Sequence, residues 1–214
     1  MDKTIIILTK SKKHSGYCVA GIDYETGEWI RLVSSDTETE GAVPKEHLEL
    51  YDGEDLEIYD VIQCKLLRPC PTLVQPENWL YDETIKWRKI GESNIDEVLD
   101  IHGYDSPEYI FGDNQVSLPE DWRFEDGTSL CLVEVQNATI WVKTFDGNQT
   151  VSLNFTYNGV DYKYMKISQI DIKDSYKNMN DGSYRVKSNK IIFSLTDRYY
   201  YNGKYYKVVA QILD

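Results

Sequence analysis

Ammonium and hydroxyl side chains crowd residues 10–16, Lys10-Ser11-Lys12-Lys13-His14-Ser15-Gly16, in a pattern suited to gripping phosphate. Lysines neutralise phosphate oxygens, serine hydroxyls donate to them, and Gly16 permits close backbone approach. Trp29 and Arg31 stand two residues apart, which puts a stacking ring and a guanidinium on one face of a strand. A second group is Gln75-Pro76-Glu77-Asn78-Trp79 with Trp87, Arg88 and Lys89. There Gln75 and Asn78 can hydrogen-bond a base edge while tryptophan stacks upon it. The expected ligand-binding residues are Lys10, Ser11, Lys12, Lys13, His14, Ser15, Trp29, Arg31, Gln75, Asn78, Trp87 and Arg88. The plainer alternatives are a solvated basic turn, with Arg31 paired to a carboxylate, and a segment 75–79 that plugs a barrel mouth or seals two domains.

Catalytic patterns are sparse. The sequence holds no Gly-rich phosphate loop, nucleophile elbow, HExxH or histidine cluster. His14 and Cys18 are four apart, but Cys18 alternates with Ala20 and Ile22 and is expected to point into the core. Asp146 with Asp161 and Lys163 echoes a metal-dependent nuclease, since two carboxylates and a lysine can hold Mg²⁺ and orient a water. Both aspartates sit at hairpin ends, where aspartate serves turns. No catalytic residue, metal or cofactor is expected. The four cysteines lack zinc spacing, and free, reduced thiols are expected.

The 214 residues include 36 acidic and 23 basic side chains, a net charge of −13. The acidity is concentrated: residues 35–62 carry ten acidic groups against one basic, and 91–127 carry eleven against one. That balance argues against a protein that coats duplex DNA, which needs a continuous basic face. A local basic groove for a short single strand remains compatible with it. No apolar run reaches the ~20 residues of a membrane span, and the apolar run 5–8 is too short for a signal peptide, so a cytoplasmic location is expected.

The elements that must position these groups are strands. Seventeen tyrosines, five tryptophans and many β-branched residues favour pleated surfaces. Strands are expected at 4–9, 17–24, 28–34, 56–67, 130–136, 139–145, 150–157, 160–167, 190–195 and 204–213, with Gly27, Asp146-Gly147, Asn158-Gly159 and Asn202-Gly203 marking turns. A helix capped by Ser93 is expected near 93–102, while 75–88 and 171–189 read as connections. About five strands per half suggests small closed barrels.

Residues 5–23, Ile-Ile-Ile-Leu-Thr-Lys-Ser-Lys-Lys-His-Ser-Gly-Tyr-Cys-Val-Ala-Gly-Ile-Asp, followed by Gly27-Glu28-Trp29-Ile30-Arg31, resemble the start of bacterial dual OB domain-containing proteins. Gln75-Pro76-Glu77-Asn78-Trp79, Phe193-Ser194-Leu195 and the run 206–212 resemble later parts of that family; Leu32-Val33 stands where proline-valine is expected. The resemblance implies two OB-like barrels in tandem, in proteins often linked to bacterial conflict systems, and brings no established activity.

The expected architecture is all-β with one or two short helices: two tandem OB-like barrels packed together. The expected bounds are a first barrel at 1–90, an acidic helix-containing connection at 91–127 and a second barrel at 128–214. The expected function is a non-catalytic binding module that takes a single-stranded nucleic acid or nucleotide-like ligand in a groove of the first barrel, within a bacterial defence system. The alternative is an acidic protein-interaction subunit that docks on a basic partner through its acidic segments or its Tyr-rich C-terminal hairpin at 199–206. A metal-dependent nuclease ranks third.

Overall fold

Ile5, Ile6, Ile7 and Leu8 are fully buried in succession, so both faces of their strand are covered. In the computed structural model, which describes residues 1–13, 15–122, 127–199 and 201–214, that strand opens a closed barrel. Two compact units divide the chain, Met1–Gly103 and Tyr104–Asp214. The first contains β1 (Asp2–Lys13), β2 (Gly16–Asp23), β3 (Trp29–Val33), β4 (Asp60–Pro69), β5 (Asn78–Tyr81), β6 (Arg88–Glu92) and α1 (Ile95–Ile101).

Its strands run in the order β1-β2-β3-β5-β4, and β4 returns to β1, which closes five strands into a barrel. All pairings are antiparallel except β3 with β5, where Arg31 lies opposite Asn78. One strand serves both sides of the seam: Asp2 to Ile6 pair with β4, and Ile5 to Lys13 pair with β2. A bulge between Ile7 and Thr9 bends β1 between these partners. β6 is added outside the circuit, on β4. The interior is filled by Ile5, Ile7, Val19, Ile30, Leu32, Leu66 and their neighbours.

The second unit contains β7 (Ser117–Leu118), β8 (Leu130–Glu134), β9 (Gln136–Phe145), β10 (Asn148–Tyr157), β11 (Val160–Ile167), α2 (Ile170–Tyr176), β12 (Gly182–Arg185), β13 (Lys190–Leu195) and β14 (Tyr205–Leu213). The same circuit recurs, β9-β10-β11-β14-β13, again with one parallel pair, β11 with β14. Here the strand equivalent to β1 is broken at Val135: β8 pairs with β13 and β9 pairs with β10. β12 extends the sheet beyond β9, and β7 pairs with β14. Asp146-Gly147 and Asn158-Gly159 take left-handed dihedrals, φ 47° and 76°, then 48° and 75°. Tight hairpins require that conformation at both central positions. The all-β, tandem-barrel expectation holds.

Several local expectations change. Residues 10–13 are strand rather than loop, because β1 continues pairing to Lys13 opposite Gly16. The stretch 75–88 supplies β5 and the start of β6, and 171–189 supplies most of α2 and all of β12. Asn94 rather than Ser93 caps α1, its side chain accepting from the amides of Asp96 and Glu97. No helix among the described residues is long and apolar enough to cross a membrane.

Gly21 shows how tightly the seam is built. A Cβ there would lie 1.9 Å from the Ile6 carbonyl oxygen, a backbone atom that cannot swing aside. Gly21→Ala should lower stability by about 1–3 kcal/mol, measured as a shift in the urea midpoint at unchanged slope.

Candidate functional site

In the first barrel, the outer face of β2 and β3 is not open. Trp29 and Arg31 point away from the interior lined by Ile30 and Leu32, yet both are buried. Trp29 meets the His102 ring edge-on at 5.0 Å, at the end of α1. The Arg31 guanidinium reaches Glu77 Oε1 through Nε and Nη2, each at 3.0 Å, with side chains 5% and 1% exposed. Its Nη1 donates to Cys18 Sγ. Cys18 therefore lies on this outer face, half-buried, and not in the core where it was expected.

The other expected residues scatter. Gln75 and Asn78 are buried, and Asn78 Nδ2 donates to Gln75 Oε1 at 3.2 Å. They join Arg31 and Glu77 in a polar knot where β3 meets β5. Trp87 belongs to the core beside Tyr81, with ring centroids 5.1 Å apart. Arg88 is exposed and stacks over Tyr51 at 5.2 Å. Ser11 is buried. Lys10 is held by Glu57 at 2.9 Å and Lys13 by the Glu40 carbonyl at 3.2 Å. Lys12 and Ser15 remain exposed, and residue 14 lies outside the described residues. The plainer alternative, Arg31 paired to a carboxylate, is what the structure contains.

The equivalent outer face of the second barrel is open. Register sets Trp141 opposite Ser152 and Ser152 opposite Lys166, one row across β9, β10 and β11. Lys143 and Thr150 form the adjacent row. Leu153 and Met165 alternate with them and fill the interior. A bulge between Leu153 and Phe155 leaves Tyr164 with φ 59°, its amide donating to Asn154 Oδ1 at 2.7 Å. That places the exposed Tyr164 ring 6.1 Å from Trp141, edge to face. Over this floor α2 contributes Lys173 and Asp174, followed by Lys177, and together they enclose a groove of about 1000 Å³.

Charge distribution favours the same place. Residues 1–103 hold 21 acidic and 11 basic side chains, whereas 104–214 hold 15 and 12. In the groove Lys143 is balanced by Asp181 at 3.1 Å, while Lys166, Lys173 and Lys177 make no ion pair among the described residues. Burial, then the nearby Lys166 ammonium, push Lys173 below the ordinary lysine range, and Asp174 opposes the shift. A half-buried cation facing a second cation lowers its energy by acquiring an anion.

The nuclease arrangement fails on distance. Asp146 precedes the first residue of β10, and Asp161 lies opposite Thr156 near its far end. Eight residues of strand span roughly 26 Å, too far to share one ion. Asp161 instead accepts from Thr156 Oγ1 at 2.8 Å. No group of three or more His, Cys, Asp or Glu among the described residues could hold a metal. All four cysteines are free thiols, and burial pushes Cys64 and Cys131 well up.

Comparison with known proteins yields one match: a family model described as dual OB-containing domain covers residues 3–212. No curated protein and no solved structure matches.

Proposed function

The chain belongs to the dual OB-containing domain family, and from that premise we propose that it is a non-catalytic module binding single-stranded nucleic acid or a nucleotide-like ligand. The observation that carries this reading is the row Trp141, Ser152 and Lys166 with Tyr164 and Lys173 above it: rings beside unpaired ammonium groups over a small-residue floor. OB-folds use this middle face of the sheet to hold oligonucleotides. Stacking serves any base, and the lysines follow the backbone. We place the ligand on the second barrel, because burial and Glu77 occupy Trp29 and Arg31 on the first. Fluorescence anisotropy with short labelled DNA and RNA at low salt tests it; dissociation constants above the high-micromolar range for both would remove the reading.

One titration follows from Lys173. Its protonated form attracts the anion, and burial, then the nearby Lys166 ammonium, hold its pKa below the ordinary lysine range. Affinity should therefore fall as pH rises toward the ordinary lysine value of about 10.4, sooner than an unperturbed lysine would allow. Lys173→Arg, charged throughout, should hold its affinity across that range.

A second reading, an acidic face docking on a basic protein, draws on the charge excess of residues 1–103. Capture of a stoichiometric basic partner that salt releases, without nucleic acid, would favour it.

A further inference from the structure

On the second barrel a segment following α2 is tied down beside the groove. Gln149 does this with two hydrogen bonds: Nε2 donates to the Met179 carbonyl at 2.8 Å, and the Asn178 amide donates to Oε1 at 3.0 Å. Asp181 adds a second tie, accepting from the Thr144 amide at 2.8 Å and pairing with Lys143. The segment 177–181 is thereby strapped onto the ends of β9 and β10. Asn178 and Gly147 both line the groove where the strap meets the β9–β10 turn. A polymer that threads the groove past the β9–β10 turn must pass this strap, whereas a chain end need not.

The cations agree with an end. Lys166, Lys173 and Lys177 face one lining carboxylate, Asp174, and Lys143 is cancelled by Asp181. The remaining surplus of about two positive charges matches a phosphomonoester, which carries about −1.5 to −2 at neutral pH, and exceeds the single charge of an internal phosphodiester. Trp141 and Tyr164, set edge to face, present stacking surface for one or two bases rather than a long run.

We propose that this groove recognises a terminus: a phosphomonoester held by Lys166, Lys173 and Lys177, with its attached nucleotide stacked on Trp141 and Tyr164. The inference rests on the single-strand reading above and narrows it. The same chemistry is offered by a strand end and by a free mononucleotide.

The test is anisotropy with the full chain and tetranucleotides bearing a 5′-phosphate, a 3′-phosphate or neither, each labelled at the unmodified end. A circular single strand and a nucleoside monophosphate serve as unlabelled competitors. One phosphorylated end should bind about tenfold or more tightly than the unphosphorylated strand, and the circle should not compete. Lys173→Gln should bring the two strands to within about twofold of each other. Gln149→Ala, which removes one of the strap's two ties while leaving every lysine in place, should let the circle compete in part. Competition by the monophosphate at similar concentration identifies a free nucleotide as the source; its failure identifies a strand end. Equal binding of all three tetranucleotides, or a circle that competes with the wild-type protein, overturns end recognition and leaves the single-strand reading standing. Absence of binding by every probe removes both.

Discussion

Glu77→Gln will destabilise the first barrel by about 3–5 kcal/mol, the cost of stripping one partner from a buried ion pair. Arg31 and Glu77 side chains are 5% and 1% exposed, so water cannot replace the lost carboxylate. Cys18 Sγ, which also accepts from Arg31, is a weak acceptor and does not substitute for a carboxylate. The pair also sits where the barrel circuit is most demanding. β3 and β5 are its parallel contact, with Arg31 opposite Asn78, and the Arg31 amide donates to the Glu77 carbonyl at 3.0 Å. Loss of the charge should therefore appear as a lower urea midpoint and faster hydrogen exchange in β3 and β5. A paired replacement, Arg31→Met with Glu77→Leu, should recover to within about 1–2 kcal/mol of wild type, since apolar groups of similar volume substitute well for a buried pair. An unmoved midpoint in Glu77→Gln would show that the pair is hydrated and contributes nothing to closure.

That pair also explains what the sequence concealed. In β3, Trp29 and Arg31 alternate with Ile30 and Leu32, the pattern of one wet and one dry face. Both faces are buried instead, because Glu77 reaches Arg31 from 46 residues away and His102, at the end of α1, packs on Trp29. Parallel pairing partners that distant leave no local signal, whereas Asp146-Gly147 and Asn158-Gly159 announce their hairpins through required dihedrals. β5 and β6, four and five residues long, are too short for periodicity to register. The helix α2 lacks a side-chain N-cap and buries no residue, so neither propensity nor an apolar stripe marks it. The proposed site has the type of chemistry the sequence suggested, cations and rings on an OB sheet face, but lies on the other barrel. Trp141 with Lys143, and Tyr164 with Lys166, repeat the two-residue spacing of Trp29 and Arg31. Only the register across β9–β11, and the helix that carries Lys173 above it, set them around one space.

Reversing the charge of Lys166 and Lys173 together, each to Glu, should weaken single-strand binding about 100-fold at low salt, equivalent to about 2.7 kcal/mol. The mechanism predicts more than a loss. Each phosphate neutralised on a single strand contributes about −0.7 to the slope of log affinity against log salt. Three unpaired lysines, Lys166, Lys173 and Lys177, therefore give a slope of about −2, and raising salt from about 50 to 200 mM should cost the wild type about 16-fold. The double reversal should flatten that slope toward zero. Trp141→Ala should behave differently: losing a stacked base costs about 1–3 kcal/mol, yet a ring releases no counterions, so the slope stays near −2 while affinity falls. Lys12→Glu with Lys13→Glu on the first barrel is the matched comparison, equal in charge change and located on exposed or half-exposed strand positions. It should alter affinity by less than about threefold, through long-range field alone. Salt series on these four proteins separate contact from net charge, because all charge reversals shift the total by the same amount and only one pair lines the groove. Equal losses from both reversals would mean that bulk charge, rather than the open face of the second barrel, governs binding.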